Sequence, residues 1–495
     1  MTLRGVECLR RADVVLMDAL VDRQILSHCS PHVKIIEAGK RGGGRVFLRQ
    51  PAINRLLVRL AKAGKTVVRL KGGDPYFFGR GAEEAEALAD HRIPFEVVPG
   101  VSSVTSVPGF AGIPLTHRGH ASVLTVVTGH EGRENPYLGE SAGQSARRRG
   151  PGVDWSKISP TGTLVILMGL KQWPLISKRL LSLGWSPSLP AAAIQWGSWT
   201  QQRTVRGTLS TLAERIQRAR LGAPALIVVG DVAGFGPQLD WFSKRPLFGK
   251  TVLVTRARDQ ASALTSLLEE AGAHVIESPL IAIHALPLDK KGRGYLKNLS
   301  NYAGLLVTSA NGAKILAHHL KERPCPPLYA IGEKTAGALQ AEGLGVERTA
   351  ENFQSEGLVN VLGQKLRGKH FLFARARAGR DLIQTTLARR GARVDLWPLY
   401  ETRPLILSAD AKAALLSGEV DAVTFTSSST VTSFMKNFSS RERRRIFSRT
   451  RAVSIGPITS QALRAAGLHP LQAPGVATVD ALAHAVVRAL GRTSF

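Results

Sequence analysis

The sequence predicts an α/β protein built as two consecutive two-lobed halves, and three observations carry that expectation. First, short apolar runs rich in Val, Ile and Leu recur: TVVRLKGGDP (66–75), SVLTVVTGH (122–130), TLVILMG (163–169), TVLVTRAR (251–258) and GLLVTSANG (304–312). Each ends in a turn containing Gly, Pro or Ser and leads into a segment of helical period, the pattern of largely parallel sheets covered by helices. Second, 495 residues are too many for one common domain. Third, the C-terminal half repeats itself. GKTVLVTRARDQASALTSLLEEAGAHVIESPL (249–280) matches GKHFLFARARAGRDLIQTTLARRGARVDLWPL (368–399), an offset of 119. TSANG (308–312) against TSSST (426–430), and AIGEKTAGALQAEGL (330–344) against SIGPITSQALRAAGL (454–468), follow in the same order. The repeat predicts two similar lobes with a ligand cleft between them.

Along the chain, the first half is expected over 1–240, a linker over 241–248 within the turn-rich GFGPQLDWFSKRPLF (234–248), and the second half over 249–495. The Gly/Ser/Arg-rich stretch 132–160 has no period and reads as a long surface loop. Lys and Arg number 66 against 37 Asp and Glu, a net charge of +29, which raises a polyanionic partner. The surplus is spread evenly, with 31 basic and 18 acidic residues up to position 243 and 35 and 19 after it, so no basic arm of the nucleic-acid-binding kind is visible. Cys8, Cys29 and Cys325 are far apart and unpatterned, which suits a reducing compartment. The N-terminus MTLRGVECLRRAD has charges where a signal peptide is apolar, and the longest apolar runs are far below spanning length. A cytoplasmic protein with no membrane and no nucleic-acid partner is expected.

Two phosphate-site look-alikes fail. GKT at 64–66 and at 249–251 lacks the required preceding glycine, since those positions are Arg59 and Lys244. GFGPQL (234–239) lacks the last glycine of a dinucleotide fingerprint. His28 and His32 are separated by Pro31, His318 and His319 are adjacent, and neither pair has a third ligand, so no metal is expected.

The specific signals begin with RLKGGDPYFFGRGAEE (69–84), a strand running into a Gly-Gly-Asp-Pro turn where backbone can approach a ligand closely. VVPGVSSVTSVPGFAGIPLTHRG (97–119), VTGHE (127–131), TLVILMG (163–169), PAAAIQWGSWTQQRTVRGTL (190–209) and PALIVVGDV (224–232) follow. Together and in this order they resemble uroporphyrinogen-III C-methyltransferases of the tetrapyrrole methylase family over about residues 1–240. The resemblance implies that S-adenosyl-L-methionine binds between two α/β lobes and that two methyl groups pass to ring carbons of uroporphyrinogen III, giving precorrin-2 on the way to sirohaem and cobalamin. By position it implies cofactor contacts at Gly72, Gly73, Asp74, Phe77, Ser102, Ser103, Met168 and Gly197. A Met after an apolar strand is otherwise an ordinary core residue. Asp18, ending DVVLMD, and Lys40, after VKIIEAG, match the proton acceptor and donor, with a surface salt bridge as the plain alternative for them. Arg80 matches a catalytic position, and Glu83, Arg118 and His130 match the substrate face, where arginine suits a substrate with eight carboxylates.

Two departures stand out. In the family a first strand with a Gly-rich loop precedes the TLRG segment. Here the sequence opens MTLRG, so that strand and loop are expected to be missing, which would cripple methylation or place the true start upstream. In GKRGGGRVFLRQPAIN (39–54) the family's usual spacing is displaced and Arg45 and Arg49 appear.

The second half resembles uroporphyrinogen-III synthases through TRAR (255–258), TSANG (308–312), PLYET (398–402), TSSST (426–430), IGPITSQALRAAGL (455–468) and ATVDAL (477–482). The implied reaction closes linear hydroxymethylbilane with inversion of ring D and loss of water, without a cofactor. Positioning of the chain dominates such chemistry. Ser309, Ser427 and Thr459 are the substrate-binding candidates and Tyr400 the candidate for orienting or proton donation, while helix capping is the competing role of Ser309 and Ser427. The expected protein is thus a bifunctional tetrapyrrole enzyme acting on hydroxymethylbilane and uroporphyrinogen III, with homodimerisation through the methylase half. A synthase with an inactive methylase remnant, and a basic nucleic-acid-binding protein, are the alternatives.

Overall fold

In the computed structural model, residues 1–38, 48–129, 152–256, 258–320, 323–350, 355–363, 365–378 and 381–491 are described. They form two compact units, Met1–Gly249 and Lys250–Phe495. The segment 241–248 is not a free tether. The Trp241 indole donates to the Gly109 carbonyl at 3.3 Å, the Phe110 and Phe242 rings meet edge-on at 4.7 Å, and Leu247 is fully buried within the first unit.

The first unit opens with helix Leu3–Arg11, which starts where the Thr2 hydroxyl accepts the Gly5 N–H at 3.3 Å and buries Leu9. Strand Val14–Met17 follows and is buried at every residue, as a central strand covered on both faces must be. It pairs in parallel with Lys34–Glu37 on one side and Val67–Leu70 on the other. Helix Gln50–Lys62 carries Pro51 in its first turn, where the missing N–H costs nothing, and turns Ile53 and Leu57 inward one turn apart. Because the three strands are parallel, Asp18, Ala38 and the turn at 72–74 all leave from one edge of the sheet.

The second sheet of this unit has five strands in the order Leu124–Thr128, Thr163–Leu167, Ala225–Val229, Pro190–Gln195, Arg203–Thr208. Its central strand Ala225–Val229 runs antiparallel to both neighbours, with Leu226 opposite both Leu167 and Ile194. The ends of Thr163–Leu167 and Pro190–Gln195 therefore emerge side by side at one edge. Helix Ser103–Phe110 packs Val104 into the core of this sheet.

The second unit holds two mostly parallel sheets. One has the order His274–Glu277, Thr251–Val254, Ala422–Phe425, Arg451–Ser454, Leu471–Gln472. The other has the order Ile281–Ala285, Arg393–Pro404, His370–Ala376, Gly304–Val307, Leu328–Ala330, Arg348–Thr349, with only the first pair antiparallel. Two lobes are present, but a sequence repeat is not a lobe. Each repeat places its first two strands in one sheet and its later strands in the other, so each lobe is half one repeat and half its partner. The exchange happens at 278–281 and 404–408. There Ile281 pairs antiparallel with Pro404, Leu405 N–H donates to Leu280 O at 2.8 Å, and Ser408 N–H donates to the Ser278 hydroxyl at 3.0 Å. Both crossings leave from carboxyl ends of strands, so the carboxyl edges of the two sheets face each other across this two-stranded bridge.

The exchange makes neither repeat self-sufficient. A fragment holding residues 249–367 lacks the His370–Ala376 strand that pairs with Gly304–Val307, and the Ala422–Phe425 strand that pairs with Thr251–Val254. It is expected to show no cooperative unfolding transition by circular dichroism, whereas a chain holding 249–495 unfolds cooperatively.

Candidate active site

In the first unit the two glycine-rich segments named from sequence lock together. Gly73 lies in left-handed backbone (φ +77°), and a Cβ on Gly100 would fall 2.2 Å from the Gly73 carbonyl oxygen, so the turn and the PGVSS segment touch backbone to backbone. Asp74 brackets the contact. One carboxylate oxygen accepts the Tyr76 N–H at 2.9 Å and the other the Gly100 N–H at 3.0 Å. Each Asp74 oxygen therefore already accepts one backbone N–H that fixes the turn, and each keeps a second acceptor site. Ser102 caps helix Ser103–Phe110 by accepting the Val104 N–H at 3.2 Å.

That helix joins the first glycine turn to the second sheet. A Cβ on Gly197 would fall 2.3 Å from Val107 Cγ1, so the IQWG turn sits directly on the helix. Met168 leaves Thr163–Leu167 at the same sheet edge. It is not the core residue that an apolar strand would suggest: its side chain is 51 % exposed and its backbone is left-handed (φ +55°). Phe78, Arg80, Trp196 and Ser198 share that conformation, so the described non-glycine residues of positive φ gather mostly in these turns. Strain of that kind, about 1–3 kcal/mol per residue, persists where surrounding structure enforces it and concentrates at ligand sites. The Gly73 turn thus lies against Ser102 and Ser103 at the start of the helix, Gly197 lies against Val107 of the same helix, Met168 follows a strand that ends at the Gly197 edge of the second sheet, and Phe77 stands exposed just after the glycine turn.

Asp18 ends its strand beside the glycine turn, its N–H donating to Leu70 O at 3.0 Å just before that turn. Its carboxylate is ion-paired with Arg69, and Lys71 Nζ lies 3.7 Å from its other oxygen. The salt bridge weighed against a chemical role is present, yet its cations are buried rather than on the surface. Arg80 and Glu83 form a two-pronged pair, both bonds at 2.7 Å, which holds Glu83 below the usual carboxylate range. Arg118 is not part of this gathering. It lies exposed in the His117–Ala121 turn beside Phe235, at the sheet edge opposite Met168, because that turn precedes strand Leu124–Thr128 while Met168 follows its neighbour. Lys40 and His130 lie outside the described residues, as do residues 132–151 of the expected 132–160 surface loop; the rest of that stretch is not all surface, since Trp155 is buried in the core of the second sheet.

In the second unit the hydroxyls of Ser309 and Tyr400 meet at 2.8 Å, and the same Ser309 oxygen accepts the Gly312 N–H at 2.9 Å. Ser309 thus caps its helix and bonds Tyr400 with the same oxygen. Ser427 closes a full capping box with Thr430, and Thr459 is buried in the first turn of helix Pro457–Ala465. The four candidates thus form two sets, one at the carboxyl edge of each sheet. Helix Ser428–Lys436 packs against the bridging strands Ile281–Ala285 and Arg393–Pro404, and the latter carries Tyr400. Repeat symmetry also points to Thr335, the equivalent of Thr459 and equally buried, and to Arg256 and Arg375, equivalents after the first strand of each repeat. Burial pushes the Arg256 guanidinium below its ordinary range. The offset of the repeat, applied to both members of each pair, is the signal that would have found them.

Comparison with known proteins is in register with this architecture. Residues 1–213 match the family of tetrapyrrole (corrin/porphyrin) methylases and residues 262–484 the family of uroporphyrinogen-III synthase HemD. A porphyrin biosynthesis protein HemD of Ruminiclostridium josui is 33 % identical over 88 % of this chain and 85 % of its own length. The chain belongs to this family of fused tetrapyrrole methylases and uroporphyrinogen-III synthases. It is a bifunctional enzyme of tetrapyrrole biosynthesis, with a methylase half and a synthase half. A uroporphyrinogen-III C-methyltransferase of Bacillus subtilis is 37 % identical over 62 % of this chain and 60 % of its own length. Among solved structures, a uroporphyrin-III C-methyl transferase of Thermus thermophilus complexed with S-adenosyl homocysteine is 36 % identical over 47 % of this chain and 92 % of its own, with a TM-score of 0.38.

Asp74→Ala removes the acceptor of two backbone N–H groups and is expected to destabilise the methylase half by about 1–3 kcal/mol, read as a lower denaturant midpoint. Gly197→Ala forces Val107 or the turn to move and is expected to cost about 1–3 kcal/mol by the same measurement.

Proposed function

We propose that the synthase half closes hydroxymethylbilane to uroporphyrinogen III with inversion of ring D, and that the methylase half transfers two methyl groups from S-adenosyl-L-methionine to that product, giving precorrin-2. What supports the second step is the backbone contact of the Gly73 turn with Ser102 and Ser103, whose helix in turn meets Gly197, with Asp18 hydrogen-bonded to Leu70 just before that turn. These groups suit the cofactor in chemistry: the glycine turns allow close backbone approach to its polar groups, and the exposed Met168 and Phe77 side chains can supply apolar contact. When bound, the cofactor supplies an electrophilic methyl group. Methylation of a ring carbon leaves a cationic tetrapyrrole that must lose a proton, and the Asp18 carboxylate accepts it. The Arg80 guanidinium, already aligned by Glu83, stands exposed near the same turn for substrate carboxylates.

In the synthase half, the Tyr400 hydroxyl donates a proton to the departing hydroxyl of the substrate as the carbon–oxygen bond breaks, and water leaves. Ser309 orients Tyr400 through their 2.8 Å bond. The ring carbon that attacks is selected by how the chain is held between the two carboxyl edges, the larger share of such catalysis. Two enzymes in one chain raise the local concentration of the shared intermediate. The same reading makes the protein a cytoplasmic homodimer that binds neither membrane nor nucleic acid; among the described residues no helix is long and apolar enough to cross a membrane.

The test is an assay of the full chain on hydroxymethylbilane with and without S-adenosyl-L-methionine. Uroporphyrinogen III without the cofactor and a methylated product with it are the expected results. Cyclisation alone would overturn the methylase reading, and no cyclisation would overturn the synthase reading. Tyr400→Phe is expected to lower the cyclisation kcat on the order of 10²-fold, and Asp18→Asn to lower methyl transfer by a similar factor while leaving cyclisation unchanged.

A further inference from the structure

Behind Asp18 lies a charge cluster that neither reaction as described uses. Glu84, on helix Gly81–Asp90, is only 4 % exposed, and its Oε1 accepts from Arg69 Nε at 3.1 Å, Lys71 Nζ at 3.2 Å and Gln50 Nε2 at 3.0 Å. The Arg69 guanidinium is further tied to the carbonyls of Leu16 and Leu70 at 3.2 Å each and reaches Asp18 with its remaining nitrogen. Lys71, whose side chain is 5 % exposed, stands between the two carboxylates. Two acids and two cations therefore form a closed, neutral set in which Asp18 is the most open member, its side chain 33 % exposed.

Placing these largely buried charges behind strands Val14–Met17 and Val67–Leu70, whose other residues are Val, Leu and Met, brings little stability, because desolvation offsets much of the attraction. What the set does provide is geometry. It ties two helices to two strand ends and terminates on one carboxylate beside the glycine turn. We propose that Glu84 and Lys71, acting through and with Arg69, are positioning residues that hold the Asp18 carboxylate and set its readiness to accept the substrate proton. The inference rests on the proposed role of Asp18.

The charges facing Asp18 fix the sign of the effect. Arg69 and Lys71 face it from the neighbouring strand and its extension, Glu84 competes for both from the helix, and the nearby Arg80–Glu83 and Arg23–Glu37 pairs are internally neutral. Glu84→Gln removes the competing anion and leaves both cations to the Asp18 carboxylate, a surplus of positive charge that favours its negative form. Lys71→Met does the opposite. The acidic limb of the pH profile for methyl transfer in the full chain is therefore expected to move down in Glu84→Gln and up in Lys71→Met. In both, kcat is expected to fall about tenfold, with the KM for S-adenosyl-L-methionine and the calorimetric affinity for S-adenosylhomocysteine within twofold of the parent. A merely structural cluster would move both limbs not at all, or lower activity only in proportion to folded protein, and either result in either variant overturns the proposal. Asp18→Asn separates the two readings. Full methyl transfer by it overturns the proton-acceptor role on which the inference stands, whereas its inactivity beside parental profiles for the other two variants overturns the positioning role alone.

Discussion

Parallel pairing of buried strands is the constraint on which the rest of this molecule depends. A strand such as Val14–Met17, apolar and buried along its whole length, is covered by helices on both faces, and each crossover returns the chain to the same starting edge. All turns that follow such strands then accumulate at the opposite edge. Polar and glycine-rich residues spaced far apart in sequence, Asp18 and Gly73 among them, meet there without any dedicated device. In the methylase half the antiparallel central strand of the second sheet does the same for Met168 and Gly197, since Leu226 faces the ends of both flanking strands.

The synthase half applies the rule to two lobes at once. Its crossings at 278–281 and 404–408 leave from carboxyl edges, so these edges are turned toward each other and the candidate hydroxyls end up on both sides of the bridge. The two repeats are nearly symmetric at these turns, with one break. Ser309 and Ser427 are equivalent caps, but the position equivalent to Tyr400 is Ile281. The Ser309–Tyr400 hydroxyl pair therefore has no twin in the other lobe.

The site was legible to the extent that it depends on backbone. Glycine turns, capping serines and strand ends announce themselves because each residue type has a local conformational reason to be there, as at Gly73 and Ser102. Side-chain partnerships were less visible. Arg69 interrupts an apolar strand and Glu84 falls on the inner face of a helix, two small irregularities whose joint meaning appears only when both are seen against Lys71. Asp74, expected at the cofactor, also brackets two backbone N–H groups, a structural task that no spacing encodes. Arg118 was placed with the substrate face by motif and lies at the opposite sheet edge, because its turn comes before its strand rather than after it.

By itself the sequence determined the α/β class, the division into two halves, the internal repeat and the two families, since periodicity and ordered motifs are properties of contiguous chain. Tertiary structure alone decided that each repeat is shared between lobes, that Met168 is exposed rather than core, and that Asp18 is the open end of a buried charge set. The physical reason is one of range. Local propensity specifies the strand and the turn that ends it, but which strands become neighbours, and so which charges must neutralise one another out of water, is settled only when the sheets are assembled.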